Sequence, residues 1–447
     1  MLSRRGFVKV GAASVASLAL RPFGLLPALA QAGSSDYRAL VCVFLFGGND
    51  SNNMIIPVDD VNFQRYTSIR GSLALTSAEL TPTVYAASNN APFAFHEDLT
   101  ELASMFSNKE LAVVANVGSL MQPTTRSQYQ AQVDLPLNLF SHSDQQLQWQ
   151  TSIASGHSPT GWAGRAADIV SSQNASTFPT FLSVAGNSLM GTGASSQPVT
   201  ITPGESLDLK GFNGSAASNA RLNALENLLT LETGLQLVQA SNAVMSNSIA
   251  DATALDAALS KSTPLNTTFP KTSLGSQLQQ VAQIIQVRNG LGMSRQIFFA
   301  SLGGFDTHAT ELETHRQLYP ELSQALAAFS NALAELGVED NVTTFTESDF
   351  SRTFQPTTSD GSDHAWGSHH LVMGGAVKGG DIYGQFPEFV LGGPNDTDTR
   401  GRWIPTTAID QYGATLCSWF GITSPASLAA VFPNFANFGS QKLSFFG

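Results

Sequence analysis

Cysteine is almost missing from this chain, which carries only Cys42 and Cys417 among its 447 residues. A structural zinc site built on cysteine thiolates is therefore not expected. One disulfide between the two would suit an exported chain. Cys42, however, sits in the middle of an apolar run, where a buried free thiol is expected. Charge is sparse too, at 13% of residues, and cations are the scarcer sign, with 22 Lys and Arg against 34 Asp and Glu. A net charge of −12 argues against nucleic acid as a partner, because binding to phosphates needs a basic surface. Two catalytic signatures are absent. No Gly-x-Ser-x-Gly elbow occurs, which counts against an ordinary α/β-hydrolase. Gly374-Gly375 and Gly379-Gly380 frame Lys378, but without a Lys-Ser/Thr ending and a following helix they do not make a phosphate-binding loop. Close backbone approach accounts for those glycines.

The N-terminus also lacks an uninterrupted apolar span of ~20 residues, since Arg21 and Pro22 break it, so a retained membrane anchor is not expected. Its pattern is that of a twin-arginine signal peptide over residues 1–32. Ser3-Arg4-Arg5-Gly6-Phe7-Val8-Lys9 precedes a weakly apolar stretch from Val10 to Leu29. Ala28-Leu29-Ala30 and Ala30-Gln31-Ala32 both offer a small-x-small cleavage site. The expected location is periplasmic or secreted, with no stable membrane span after cleavage. The twin-arginine route carries folded proteins, often with a metal or cofactor already inserted.

What is present is a large apolar inventory, 42% of residues, enough for a sizeable core and against disorder. Ala39 to Phe46 is a continuous apolar run ending in Gly47-Gly48-Asn49-Asp50, the signature of a central strand covered on both faces. Similar runs predict strands at 111–117, 181–184, 296–302 and 341–346, with 111–117 and 296–302 as parallel neighbours of 39–46. Helices are predicted at Leu99 to Phe106, Leu322 to Leu336 and Ile409 to Phe420, and strand–helix–strand succession implies parallel pairing. Residues 187–275, rich in Ser, Asn, Thr, Ala and Leu, read as a helical and polar insertion or lid. The fold class is thus α/β: one domain over 36–447, with a mostly parallel central sheet and helices on both faces.

Three predicted strands end in acidic residues: Asp50, Asp306, and Glu347 with Asp349. Ligands in open α/β sheets bind beyond the carboxyl ends of the strands. Taken singly, each acid fits a turn or a helix cap. Five of the eight histidines fall between 308 and 370; His308 follows Asp306 by two and His364 follows Asp363 directly. Asp, Glu and His collected at strand ends form a donor set for Zn²⁺, Mn²⁺ or Mg²⁺, or a hydrogen-bonded polar cluster without metal. Arg126, Arg352 and Lys378 are the cations placed near an anionic ligand, although Arg352 could pair with Asp349 instead. Ser143, in the polar segment before Trp149, is a candidate nucleophile and equally a candidate helix cap.

Several segments then occur together and in order. They are Phe46-Gly47-Gly48-Asn49-Asp50-Ser51-Asn52-Asn53, Gly161-Trp162-Ala163-Gly164-Arg165-Ala166, Gly303-Gly304-Phe305-Asp306-Thr307-His308, Ser348-Asp349-Phe350-Ser351-Arg352-Thr353, Asp363-His364-Ala365-Trp366-Gly367 and Met373 to Gly380. With these, and with its twin-arginine leader, the chain resembles the bacterial family named domain of unknown function 1501 over nearly its whole mature length. That family is grouped with the alkaline phosphatase and sulfatase superfamily, whose members bind one or two metals at sheet-strand ends. The resemblance implies Asp50, Asp306, His308, Asp349 and His364 as metal ligands, with zinc or another divalent ion (Mn, Mg, Ca). It implies Ser143 in the place of the nucleophile. The expected reaction is hydrolysis of a small anionic phosphate or sulfate ester, with Arg126 or Arg352 binding the anionic oxygens and Ser143 or a water attacking. Two departures stand against the pattern. The middle pair is Asp-x-His rather than Asp-x-x-x-His, and Asp349 is followed by Phe350 rather than His. A non-catalytic exported scaffold that keeps the hydrolase fold is the competing expectation.

Overall fold

The computed structural model describes residues 36–205, 215–231 and 234–447. The expected signal peptide lies outside the described residues. The described strands are β1 (Arg38–Phe46), β2 (Ile55–Pro57), β3 (Val84–Tyr85), β4 (Pro92–Phe95), β5 (Leu111–Gly118), β6 (Phe181–Ser183), β7 (Val199–Thr200), β8 (Arg295–Gly303), β9 (Val342–Ser348), β10 (Ser368–Met373), β11 (Ile382–Gly384) and β12 (Thr407–Ala408). The helices of the first half are α1 (Ser51–Met54), α2 (Asp60–Arg70), α3 (Thr100–Ser107), α4 (Arg126–Gln130), α5 (His142–Thr151) and α6 (Trp162–Val170). Those of the second half are α7 (Ala216–Leu229), α8 (Gln236–Leu259), α9 (Ser273–Gln286), α10 (Glu311–Glu335), α11 (Ile409–Phe420) and α12 (Pro425–Val431). No described helix is long and apolar enough to cross a membrane.

Nine strands form one sheet in the order β11-β5-β10-β9-β1-β8-β6-β7, with β12 also paired to β5. Pairing is parallel throughout except at β10, which runs antiparallel to β5 and β9. Successive side chains of β1 alternate between two cores, as the period of a strand requires. Val41, Val43 and Leu45 pack against Leu102 and Phe106 of α3, Leu278 and Ile285 of α9, and Leu322 and Phe329 of α10. Leu40, Cys42 and Phe44 pack against Trp149 of α5, Trp162 of α6, and Tyr412 and Leu416 of α11. Helices on both faces explain why β1 is apolar without interruption. Both cysteines are buried free thiols.

One neighbour relation differs from expectation. β1 is flanked by β8 and β9, while residues 111–117 lie three places away, beyond β9 and β10. Strand order depends on where each crossover returns, and β10 carries two histidines and a serine that hid it among polar segments. Within 187–275 the chain supplies β7 to the sheet edge and then α7 and α8.

Candidate metal centre

The site is assembled by register. Parallel pairing sets Phe46 opposite Gly303 and Leu45 opposite Ser348, so three adjacent strands release their chains at the same sheet edge. Ser348 Oγ donates to Leu45 O (2.7 Å) and accepts from the Asn49 amide (2.9 Å), tying the ends of β1 and β9 together. Gly47 makes the closest approach. Its φ is +110°, and a Cβ there would lie 2.5 Å from the Asp306 backbone nitrogen, so only glycine fits. The Gly47 amide donates to Asp349 Oδ1 (3.2 Å), and its carbonyl accepts from Arg352 Nη1 (3.4 Å).

Three imidazoles and one carboxylate converge beyond this edge. His142 opens α5, His308 and Asp306 follow β8, and His364 precedes β10. Each imidazole is anchored through Nδ1. His142 donates to Asp349 Oδ2 at 2.6 Å, His364 to the Phe140 carbonyl at 2.7 Å, and His308 to Asp363 Oδ1 at 3.2 Å. Carbonyls and ionised carboxylates only accept, so these partners place a proton on each Nδ1, and in the neutral imidazole this leaves Nε2 as the ligating nitrogen. The three Nε2 atoms face one another. His364 Nε2 lies 3.1 Å from His142 Nε2 and 2.9 Å from His308 Nε2. Asp306 Oδ1 lies 3.4, 3.1 and 3.5 Å from the Nε2 atoms of His142, His308 and His364. A proton or a metal ion shared between these atoms relieves the repulsion of lone pairs held this close.

Burial raises the Asp306 carboxyl, but the Arg352 guanidinium, with His142 and His308 beside it, holds it below the ordinary carboxylate range. The hydrogen bond to Asp349 lifts His142 above the usual imidazole value against the opposing effect of burial. His364 is lowered, first by burial and then by its positive neighbours, against the Phe140 carbonyl.

The donor set fits a divalent metal. One atom each from His142, Asp306 and His364 lies within 4.8 Å of the other two. Their separations of 3.1, 3.4 and 3.5 Å bracket the roughly 3.3 Å edge of a tetrahedron with zinc bonds of about 2.0–2.1 Å. Carboxylate-to-histidine bonds of the Asp349–His142 kind are the usual support of a metal-bound imidazole.

The sequence-predicted residues divide. Asp306, His308 and His364 meet at the cluster. Asp349 stands behind it: one oxygen takes His142 and Gln146 (2.7 Å), the other the Gly47 amide, so it meets the cluster through the His142 imidazole. Arg352 is buried and bonds Asp306 Oδ1 at 3.0 Å, rather than Asp349. Asp50, expected among the ligands, is engaged elsewhere. Its oxygens take Arg70 and the Asn52 side chain (2.8 Å), because the chain turns into α1 immediately and Asp50 caps that helix. Ser143, exposed in the first turn of α5, has its Oγ bonded to Ser141 Oγ (3.1 Å) and Asp144 (3.3 Å) and makes no bond to the cluster. Arg126 donates to the Asp398 carbonyl at 2.8 Å and makes no bond to the cluster. His315, His369 and His370 are buried elsewhere.

His142 is the residue the sequence did not single out. It stands next to Ser143, but neighbours on a helix point about 100° apart, so the two side chains leave α5 in different directions. The signal available was a histidine opening a polar helix that ends in a buried tryptophan.

From Asp306 a polar chain runs inward. Arg352 Nε donates to Ser362 Oγ (3.3 Å), Ser362 donates to Glu311, and Glu311 accepts from Arg70 (3.2 Å), which also binds Asp50. Burial, then the charge of Asp50, pushes Glu311 up to about 8. Asp50 stays below its ordinary value because Arg70 and the Glu311 hydrogen bond outweigh burial.

Fold and cluster together define an α/β protein with a histidine–carboxylate centre at the carboxyl edge of a mostly parallel sheet. The chain belongs to the family described as protein of unknown function (DUF1501), whose profile matches residues 37–397. No curated protein matches it. Among solved structures, Ps i-CgsB in complex with k-i-k-neocarrahexaose is similar at 10% identity and a TM-score of 0.35, covering 90% of this chain and 77% of that one. The C-terminal periplasmic domain of EcEptC from Escherichia coli, in complex with Zn, is similar at 11% identity and a TM-score of 0.28, covering 76% and 73%. The phosphonate monoester hydrolase of Agrobacterium radiobacter is similar at 10% identity and a TM-score of 0.29, covering 86% and 74%.

Proposed function

We propose that this chain is an exported, metal-dependent hydrolase of small phosphate or sulfate esters. The observation that supports the reading is the set of Nε2 atoms turned on Asp306 Oδ1, with every Nδ1 committed to an acceptor. His142, Asp306 and His364 would hold the ion, with zinc favoured by two imidazoles and one carboxylate and Mn, Mg or Ca as the alternatives. Bound there, a divalent ion supplies a Lewis acid and a water acidic enough to ionise near neutrality. Asp349 and the Phe140 carbonyl fix the two imidazoles. Arg352, fully buried, balances the charge of Asp306 from behind. Arg400 and Arg402 are only partly buried. Arg400 pairs with Asp363, and Arg402 Nε donates to the His364 carbonyl at 2.8 Å. These two guanidiniums are assigned to the anionic ester oxygens. Ser143 is left out, and water is the attacking group. The twin-arginine pattern of residues 1–32 supports action outside the cytoplasm.

Elemental analysis of the purified mature protein, paired with turnover of aryl phosphate and aryl sulfate, tests the reading. The expected result is stoichiometric divalent metal and turnover, both lost in His142→Ala and both kept in Ser143→Ala. Absence of metal and of turnover would instead favour the scaffold reading, and metal without turnover a metal-binding accessory role.

A further inference from the structure

We infer that the hairpin of α7 and α8 is a self-association surface that joins two copies of this chain. The C-terminal part of α8 is rooted in the core through Leu255 and Ala258. Towards the hairpin tip that anchorage ends. Leu228 is 59% exposed, Leu231 57%, Leu237 84%, Val244 58% and Met245 50%. Leu237 and Val244 are seven residues apart and so share one side of α8, while Leu228 lies in the last turn of α7 and Leu231 just beyond its end. The only charged residue between 227 and 250 is Glu232. A surface helix of an ordinary domain carries its charges on the outward face; here that face is uncharged, and its largest exposed side chains are apolar, set among Gln, Ser and Asn.

The area is of the size an interface requires. Five side chains at these exposures present about 500 Å² per copy, towards the upper end of the roughly 300–600 Å² of the largest patch on a typical monomer. Two such patches together reach about 1,000 Å², the lower bound of a specific protein interface. Charge selects the occupant. Arg221 is the single Lys or Arg of both helices, and the whole chain carries −12, so an anionic lipid surface would be repelled rather than attracted. A neutral patch facing its own copy across a two-fold axis meets neither repulsion nor an unpaired charge. Two helical hairpins packed face to face bury four helices around one apolar seam, which a lone hairpin cannot do.

Sedimentation equilibrium of the purified mature protein tests the inference. The expected result is a dimer mass at micromolar concentrations. Leu237→Glu combined with Val244→Glu should weaken association by about 100-fold while leaving the circular dichroism and melting of the α/β body unchanged. If that variant fails to fold, Leu228→Lys with Leu231→Lys on the other helix gives the same reading. A single-chain mass at every concentration overturns the inference, as does a dimer that both variants leave intact. Monomer that co-sediments with phosphatidylcholine–phosphatidylglycerol vesicles would also overturn it, in favour of a lipid surface. None of these outcomes depends on metal or turnover.

Discussion

Arg70 offers the sharpest test of how this protein holds its charges. The side chain is fully buried between Asp50 and Glu311, and its Nη1 donates to the carbonyls of Thr353 (3.2 Å) and Phe354 (3.3 Å). With Glu311 raised to about 8 and Asp50 held low, the two acids keep one proton and one negative charge at neutral pH. Arg70 neutralises that charge. Arg70→Met keeps much of the aliphatic stem and removes the guanidinium, leaving a buried carboxylate unpaired. Removing one partner of a buried ion pair costs about 3–5 kcal/mol, and that is the expected loss in urea denaturation at pH 7 followed by tryptophan fluorescence. Adding Asp50→Asn deletes the orphaned charge and should recover about 1–3 kcal/mol of it, a coupling expected of groups in direct contact. The loss should shrink at pH 5, where Asp50 without Arg70 can take up a proton. A loss below about 1 kcal/mol, or no recovery in the double variant, would refute the reasoning, because Arg70 would then not be the counter-charge of the pair.

Two further outcomes follow from the same reading. Asp349→Ala should weaken metal affinity by about 10–100-fold, the usual cost of losing an orienting partner, with His142 still in place; isothermal titration with Zn²⁺ checks it, and unchanged affinity would detach Asp349 from the centre. Asp410 is raised to about 7, chiefly by burial. A group raised in the folded state contributes stability below its unfolded value, near 4, and that stability is lost as pH rises through about 7. Asp410→Asn should therefore be the less stable partner at pH 5 relative to pH 8, the difference between wild type and variant moving by a few kcal/mol across that window. Parallel stability curves for the two proteins would contradict it.

How much of this was legible in advance depends on whether a feature is local. Ala39 to Phe46 announced a doubly covered strand because eight consecutive apolar residues have no other stable home, and Ile409–Phe420 is a helix at the predicted bounds. The acids after β1, β8 and β9 were legible as strand-end residues, and the three strands do lie side by side. β10 was not legible, since Ser368, His369 and His370 are buried by neighbours far along the chain.

The candidate centre shows the same boundary. Sequence alone determined that acids and histidines would gather at the carboxyl edge of an α/β sheet, because glycine turns and apolar runs are local properties of the chain. Only the tertiary structure decided which of them meet. Asp50 is drawn away by Arg70, a contact across 20 residues, and His142 is brought in across 222 residues to face His364. Asp349 stands behind His142 because its oxygens hold an imidazole, a side-chain amide and a backbone N–H. Spacing along a chain cannot reveal which partner satisfies a side chain first; that depends on distance and direction in the folded protein.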